Sequence, residues 1–387
     1  MRKVISRENR RKIVHMSSAH KALDIRIFFK ECRSLAAAGF DVTLIAQHPK
    51  DEVVDGVSIR GLSVPSGRRE RMIRTTQTIY RLALEEDADL YHFHDPELIP
   101  TALKLKLRGK RVIYDVHENA PMDVFHNKPY LSPMIRRPMS MAVRGMEVLA
   151  GKMLDGIVTI SDVFATRFPQ GKTCVARNYP IVGERLQITG PDYKSRRPCV
   201  VFTGGLSIMN CAPAMVRAMS IANKNVTTSL VVVGKMEDNA LADELLCNPG
   251  WQHTDFRGVV PQQKVYELFA EARVGLCLNQ MRQDYVDIST NKLFDCMLAE
   301  IPVVVSPIPS WKATVEEFGC GIVLDENSPE AMAEAVTSLL RDPDMAEQMG
   351  SRGRKAVLSG MTWEAESAKL IEFYARVLNW TPGSITC

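Results

Sequence analysis

Apolar positions in the first half of the chain switch between short β-branched runs and stretches with helical spacing. The predicted strands are Lys12–Met16, Asp41–Ala46, Asp89–Phe93, Arg111–Val116 and Gly156–Ile160. The predicted helices between them are Asp24–Ala38, Arg71–Glu86, Ile99–Leu107 and about Met134–Leu154. Alternation of strands and helices in this way predicts a parallel, doubly wound sheet of the α/β class.

A second alternation of the same kind fills the rest of the chain. Its predicted strands are Cys199–Thr203, Ser229–Gly234, Val274–Leu278 and Pro302–Ser306. Its predicted helices are Ala212–Ala222, Gln263–Ala272, Asn291–Ala299, Pro329–Arg341 and Trp363–Leu378. We therefore predict two Rossmann-like domains, over residues 1–182 and 199–362, joined by a proline-rich and charged linker at 183–198. Two such sheets in tandem predict a ligand cleft between the domains, at the carboxyl ends of the strands.

Composition and length agree with two globular domains and exclude several other classes. The 387 residues are 45% hydrophobic and 24% charged, and no apolar run approaches the roughly 20 residues of a membrane helix. The segment Met1–Lys12 is basic but lacks the apolar core of a signal peptide, so we expect a cytoplasmic protein. The nine cysteines are scattered without a Cys-x-x-Cys pair, which indicates reduced structural thiols.

The net charge of +4 conceals a basic first half and an acidic second half. Residues 1–200 carry 34 Lys and Arg against 22 Asp and Glu, which is +12, whereas residues 201–387 carry 15 against 23, which is −8. Such a basic half indicates an anionic partner. No aromatic and basic interleaving supports nucleic acid, so we predict an anionic membrane surface, met by the basic clusters in 104–111 and 130–152. A solvated helix face is the alternative for either cluster.

The segment Asp287-Ile-Ser-Thr-Asn-Lys-Leu-Phe-Asp295 is the strongest candidate for chemistry. A polar loop here feeds a helix whose first turn contains Lys292, and the free N–H groups of a helix N-terminus suit a diphosphate. Asp295 lies one turn further on, where it can accept hydrogen bonds from ribose hydroxyls, and Asp287 is placed to touch the sugar. The alternative is an ordinary helix start with Ser289 or Thr290 as its N-cap.

The same segment resembles the paired-acid motif of retaining glycosyltransferases of family 4, in which seven residues separate two acids. Both acids are Asp here, where Glu is usual, and Asn291-Lys-Leu-Phe-Asp-Cys-Met-Leu-Ala resembles the bacterial surface-polysaccharide branch of that family. Further segments carry the resemblance over nearly the whole chain: His20–Glu31, Asp89–Leu98, Tyr114–Glu118 and Asn178–Pro180. The resemblance implies the GT-B fold, with a last helix (363–387) that crosses back to the first domain.

The resemblance also assigns roles to residues of the first domain. His117 matches a histidine that contacts the donor sugar, and Glu118 either orients that ring or binds acceptor. His20, Asp24 and Arg26 are placed on the acceptor side, although capping and solubilising a helix is an equally open interpretation for the last two.

His92 and His94 alternate along one strand, and His94 and Asp95 are predicted at a loop end near the acceptor. A zinc site at these histidines would need a third ligand and a fourth position, so no metal is predicted. Transferases of this family also hold the diphosphate without a metal, and we expect no cofactor besides the donor substrate.

In the second domain, the resemblance and the glycine pattern point to the donor. Gly204 and Gly205 follow a strand, where backbone N–H groups can approach phosphate, and Lys292 with Leu293 opens the donor-binding helix. The family branch carries an Arg near position 210, where this chain has Asn210, and Lys235 is a candidate substitute for the missing cation.

These features predict a retaining hexosyltransferase that moves a sugar from a UDP- or GDP-sugar to a polyprenyl-linked or surface-polysaccharide acceptor at the inner face of the membrane. Two alternatives stay open: a nucleotide-sugar 2-epimerase of the same fold, which needs no acceptor, and a non-catalytic sugar-nucleotide-binding protein, which Asn210 and the two Asp substitutions favour. A nicotinamide dehydrogenase is disfavoured because no Gly-x-Gly-x-x-Gly opens either half.

Overall fold

The structure is a computed structural model, and it describes residues 10–126, 132–183, 190–280 and 291–380. The chain divides into two compact units. Unit 1 contains the described residues up to Arg177 and those from Ala365 onward, and unit 2 contains those within Asn178–Glu364. Each unit is built on its own mainly parallel sheet, as the alternation of elements predicts.

Unit 1 carries an eight-stranded sheet in the order β3-β4-β2-β1-β5-β6-β7-β8. Its strands are β1 Lys12–Lys21, β2 Asp41–Gln47, β3 Glu52–Val54, β4 Val57–Leu62, β5 Leu90–Phe93, β6 Arg111–Val116, β7 Gly156–Thr159 and β8 Thr173–Val175. Within the described part of the sheet, only the β3–β4 hairpin is antiparallel. The register of β1 against β5 places His15 directly opposite His92.

The connections of unit 1 are helical. Its helices are α1 Arg33–Ala37, α2 Arg68–Glu70, α3 Thr76–Glu86, α4 Ile99–Leu107, α5 Ala120–His126, α6 Pro133–Met153 and α7 Asp162–Ala165. A π-helical turn over Ile25–Cys32 leads directly into α1, and a second one over Arg71–Thr75 leads into α3. The first turn starts at Asp24, whose carboxylate accepts from the backbone N–H groups of Arg26 and Ile27 at 2.8 and 3.0 Å.

Unit 2 carries a six-stranded, fully parallel sheet in the order β11-β10-β9-β12-β13-β14. Its strands are β9 Cys199–Thr203, β10 Ser229–Val233, β11 Thr254–Phe256, β12 Val274–Cys277, β13 Val303–Val305 and β14 Gly321–Val323. Its helices are α8 Ala212–Ala222, α9 Asn239–Leu246, α10 Gln262–Glu271, α11 Asn291–Leu298, α12 Pro309–Phe318, α13 Pro329–Arg341 and α14 Pro343–Leu358. The central strands are buried along their length, which explains their unbroken apolar sequence.

The last helix, α15 (Trp363–Leu378), begins in unit 2 and ends in unit 1. Phe373 fills the space over Gly156 of β7, where an added Cβ would lie 2.6 Å from the ring. Tyr374 is fully buried against the histidines of β1 and β5. Phe373 and Tyr374 are therefore part of the unit 1 core.

The predicted linker at 183–198 differs from the structure. Its described residues, Gly183 and 190–198, belong to unit 2, where Tyr193 is buried and donates its hydroxyl to the carbonyl of Arg273 at 2.8 Å. Arg196 likewise donates to the carbonyl of Ala299 at 3.1 Å. The chain passes from unit 1 to unit 2 at Arg177, upstream of this segment. In the described part of the chain, no helix combines the length and apolar character that crossing a bilayer requires.

Candidate functional site

Two glycine turns meet at the carboxyl ends of β9 and β10 in unit 2. Gly204 has φ of +140° and Gly234 has φ of +154°, a region that side chains rarely allow. A Cβ on Gly234 would lie 1.9 Å from the carbonyl oxygen of Gly204, so the turns pack backbone against backbone. This close approach leaves a narrow backbone-lined surface of the type that accepts phosphate groups.

Lys292 projects from the first turn of α11 onto this glycine surface. Its ammonium lies 4.6 Å from the centre of the Phe202 ring, and a Cβ on Gly204 would be 2.6 Å from Nζ. Burial lowers the pKa of Lys292 from its ordinary value. The structure thus brings together Gly204 and Lys292, which are 88 positions apart in the sequence, and places a partly desolvated cation at the end of the sheet.

The other residues predicted to bind the donor hold different positions. Leu293 is 1% exposed and packs in the unit 2 core, so only its backbone N–H can serve a ligand. Asn210 donates its amide to the carbonyl of Gly205 at 2.8 Å and so braces the glycine turn. Lys235 is exposed, and its carbonyl accepts from Leu206 N at 2.8 Å.

One of the two predicted acids of this segment, Asp295, lies one turn after Lys292 on α11. It lines a cavity of about 370 Å³ with Tyr193, Arg196 and Arg354. Asp287 lies outside the described residues. The ribose and sugar contacts assigned to the two acids stay predictions.

In unit 1, three neighbouring strands end at one place and present polar side chains there. His20 lies at the end of β1, Asp95 follows β5 and His117 follows β6. The Nε2 atoms of His20 and His117 are 3.4 Å apart, and His20 Nε2 is 3.6 Å from Asp95 Oδ1. The side chains of His20 and His117 are 29% and 15% exposed, and Glu118 is exposed beside them.

The electrostatics of this strand-end site centre on His20. Its hydrogen bond with Asp24, together with the charges of Asp95 and Glu118, raises the pKa of His20 to about 9 against the opposing effect of burial. Burial would raise the pKa of Asp24, but the hydrogen bonds from His20 and from two backbone N–H groups lower it to about 2. Unit 1 therefore presents a stable imidazolium at neutral pH, paired with carboxylates.

Three of the residues predicted on the acceptor side are buried beneath this site. Arg26 is 6% exposed and forms a bidentate ion pair with Asp115 at 2.9 and 3.0 Å, so it neither faces solvent nor solubilises its helix. His94 is 2% exposed and bonds Asp115 through Nδ1 at 3.0 Å, and Asp95 accepts from Ser17 and from the backbone N–H of Ser18. Of the residues predicted on the acceptor side, His20 and Asp24 are partly exposed and Glu118 is exposed.

Sequence reasoning assigned no role to several buried partners of these residues. Asp115 lies between Arg26, His94 and His117, and burial, which would raise its pKa, is outweighed by the Arg26 charge that holds it well below its ordinary value. His15, Glu31 and Tyr374 complete the cluster. The sequence offers one signal of this buried cluster, a histidine at position 15 inside an apolar strand. That His15 lies next to β5 can be known only from the strand order of the sheet.

Two family models match the chain, one in each unit. The model described as Glycosyltransferase Family 4 matches residues 26–171, and the model described as Glycosyl transferase-like matches residues 214–372. With the two Rossmann-like sheets, these matches define the class of protein: a glycosyltransferase with the GT-B fold. Residues 26–171 therefore match glycosyltransferase family 4, in agreement with the motifs of the chain.

Curated relatives match shorter stretches. A GDP-mannose-dependent α-(1-6)-phosphatidylinositol monomannoside mannosyltransferase of Mycobacterium tuberculosis is 36% identical over 75 residues, which is 19% of this chain and 20% of the relative. An α-maltose-1-phosphate synthase of Mycolicibacterium smegmatis is 28% identical over 127 residues, which is 31% of this chain and 32% of the relative. The aligned part thus spans a third or less of these relatives.

Solved structures resemble the chain over nearly its whole length. Sucrose-phosphate synthase from Thermosynechococcus elongatus gives a TM-score of 0.71 at 16% identity, covering 96% of this chain and all of that structure. HepE of Anabaena, solved with UDP and glucose, also gives 0.71, at 13% identity, covering 95% of this chain and all of that structure. At such low identity the likeness establishes the fold.

Proposed function

We propose that the protein is a retaining hexosyltransferase that takes its sugar from a UDP- or GDP-sugar. The observation that carries this proposal is the Lys292 ammonium against the Gly204 turn, at the amino end of α11. A cation, the backbone N–H groups at the start of a helix and a glycine turn are the three elements that bind a diphosphate without a metal ion. The relative that uses GDP-mannose and the similar structure solved with UDP support guanine and uracil, respectively, as the base of the donor nucleotide.

The chemistry follows from the charge that develops on the departing nucleoside diphosphate. As the bond from the sugar to the diphosphate breaks, Lys292 and the backbone N–H groups at the start of α11 stabilise the negative charge. Groups of this kind contribute roughly 3 kcal/mol each to the transition state. In this proposal Asp295 holds the ribose, Asp287 and His117 contact the sugar, and a donor phosphate oxygen takes the proton of the acceptor hydroxyl.

We assign acceptor recognition to unit 1, through His20, Asp24 and Glu118. The acceptor that best fits the basic first half of the chain is a polyprenyl-linked or surface-glycan intermediate held at a membrane.

Because the acceptor hydroxyl completes the reaction, nucleotide release measured with and without acceptor separates the open alternatives. A 2-epimerase converts the donor sugar with no acceptor, and a non-catalytic protein binds the donor without turnover. A product with inverted anomeric configuration in the NMR spectrum would refute retention.

The surface of α6 supports the membrane part of the proposal. Met134, Ile135 and Met141 are 87%, 51% and 72% exposed, and the basic residues Arg137 and Arg144 are exposed on the same helix. Apolar side chains beside arginines match an anionic bilayer surface, where the apolar groups enter the headgroup region and the arginines meet lipid phosphate. We therefore propose that α6 docks on anionic lipid.

Cosedimentation with vesicles tests this docking. We expect binding to phosphatidylglycerol-containing vesicles and weak binding to phosphatidylcholine vesicles. The double variant Arg137→Gln/Arg144→Gln should bind the phosphatidylglycerol-containing vesicles with an affinity lower by about tenfold or more, since each basic residue contributes about 1 kcal/mol near such a surface. The matched control is Arg197→Gln, which removes an exposed arginine of unit 2. Equal binding of all proteins to both vesicle types would refute the assignment, and oligomerisation through α6 would show as a concentration-dependent mass without lipid.

A further inference from the structure

Three imidazoles and one carboxylate converge in the interior of unit 1. His15 comes from β1, His92 and His94 come from the end of β5, and Glu31 comes from the π-helical turn Ile25–Cys32. Their side chains have no more than 2% of their surface exposed, and one potential ligand atom from each lies within 4.8 Å of the others. The parallel register of β1 and β5, which pairs His15 with His92, holds two of these side chains in place through the backbone.

The spacing of these atoms is close to that of a tetrahedral metal site. Metal–ligand distances of about 2.0–2.1 Å to nitrogen or oxygen put neighbouring ligand atoms about 3.3 Å apart. Here His15 Nδ1 is 3.0 Å from His94 Nε2 and 3.9 Å from Glu31 Oε2, and His92 Nδ1 is 3.8 Å from Glu31 Oε2. These separations fall on both sides of the required value, so small side-chain adjustments complete the site.

The outer nitrogen atoms of two of the histidines are anchored as metal-binding histidines usually are. His94 bonds Asp115 through Nδ1 at 3.0 Å, which leaves Nε2 to face the centre of the cluster. His15 bonds the hydroxyl of Tyr374 through Nε2 at 3.2 Å, which leaves Nδ1 to face the same centre. A carboxylate or hydroxyl on the far side of the ring sets the tautomer and orientation of a ligand histidine.

The remaining polar atoms of the cluster need a further partner. Within the described residues, neither oxygen of Glu31 accepts a hydrogen bond. His92 contacts the Tyr374 hydroxyl through Nδ1, whereas its Nε2 is buried without a partner. Arg26 supplies one cation here: its Nη2 lies 3.1 Å from Glu31 Oε1, but the same guanidinium also binds Asp115. A buried carboxylate in this position is costly unless a positive charge compensates it.

We propose that His15, Glu31, His92 and His94 bind one zinc ion in unit 1. Three nitrogen ligands and one carboxylate suit zinc in tetrahedral geometry, and four protein ligands leave no open position for catalysis. The ion is therefore structural: it joins β1, β5 and the π-helical turn, the elements that carry His20, Asp24 and Asp95 at the strand-end site. The four ligands belong to unit 1 and the proposed diphosphate surface belongs to unit 2, and the presence of the zinc site does not depend on the proposed transferase reaction.

Metal analysis of the full chain, purified without chelator from zinc-supplemented culture, tests the proposal. Inductively coupled plasma mass spectrometry should find one zinc per chain in the native protein. Glu31→Gln and His92→Gln should retain less than a fifth of that amount. The control is His48→Gln, which removes a histidine paired with Glu52 in the same unit but outside the cluster, and should keep the full amount.

Two further measurements keep the test decisive if a ligand variant folds poorly. Zinc, but not magnesium, should raise the melting temperature of the native chain after chelator treatment, because a ligand specific to the folded state stabilises it. Tyr374→Phe, which removes the hydroxyl that contacts His15 Nε2 and His92 Nδ1, should weaken zinc affinity by about 10- to 100-fold and retain the fold. A native chain that contains no more metal than Glu31→Gln and shows no thermal response to zinc would overturn the proposal, and the cluster would then be a hydrogen-bonded imidazole network.

Discussion

The sharpest test of the donor site is Lys292→Met, which removes the ammonium and keeps most of the apolar stem. The Nζ of Lys292 lies 4.6 Å from the centre of the Phe202 ring, and Nζ and Cε lie against Gly204. Methionine preserves the contact with the ring, since it is unbranched and of similar length. The change therefore separates the charge of Lys292 from its packing.

Two opposing effects in the free protein set the expected change in the free energy of unfolding. One effect in the complex sets the expected loss of nucleotide affinity. Loss of the cation–π contact costs about 0.5–2 kcal/mol, whereas removal of a charge whose pKa is lowered by burial relieves a desolvation penalty of comparable size. The free energy of unfolding should therefore change by about 1 kcal/mol or less. In the complex, a hydrogen bond to a charged phosphate contributes about 1.5–3 kcal/mol, which corresponds to about a 10- to 150-fold weaker binding of nucleoside diphosphate.

Isothermal titration calorimetry with UDP, GDP and their hexose conjugates measures this loss, and urea unfolding measures stability. The control is Lys264→Met on α10, which removes an exposed lysine that pairs with Glu267. It should leave the affinity of the preferred nucleotide unchanged. If Lys292→Met binds that nucleotide within twofold of the native affinity, the ammonium does not contact the diphosphate, and the proposed site is refuted.

Three other substitutions have defined outcomes. Gly234→Ala places a Cβ 1.9 Å from a carbonyl oxygen at a backbone φ of +154°. It should lower the free energy of unfolding by at least about 2 kcal/mol in urea titrations. The control is Gly145→Ala, in open space on α6, which should not lower it. The pKa of His20 is raised from 6.5 to about 9 in the folded protein. The stabilisation that protonated His20 gives to the folded state is therefore fully present below pH 6.5 and is lost as pH rises through 9. His20→Gln should therefore cost about 1–3 kcal/mol at pH 6 and little above pH 9.5, and a pH-independent difference in chemical denaturation would contradict the pairing with Asp24. Asn210→Asp loses the hydrogen bond to the glycine turn and adds an anion there, so nucleotide affinity in calorimetry should fall about tenfold, and unchanged affinity would remove Asn210 from the site.

Elements that bury one continuous face were recoverable from local periodicity. The bounds predicted for β6, β9, α4, α8, α13 and α15 coincide with those of the structure. The β3–β4 hairpin and β14 were missed, because strands such as Glu52–Val54 and Gly321–Val323 are three residues long and only partly buried. Runs this short hold too few positions to show a period.

The sequence by itself determined the two α/β halves, the glycine turn after β9 and the lysine that opens α11, since each depends on residues that are close along the chain. Only the tertiary structure decided which polar side chains meet. Arg26 and Asp115 are separated by 89 positions and Tyr374 and His15 by 359, yet all four lie in one buried cluster. The physical reason is strand order: β1 lies between β2 and β5, so residues from distant segments share the carboxyl edge of one sheet, and local patterns carry no record of that adjacency.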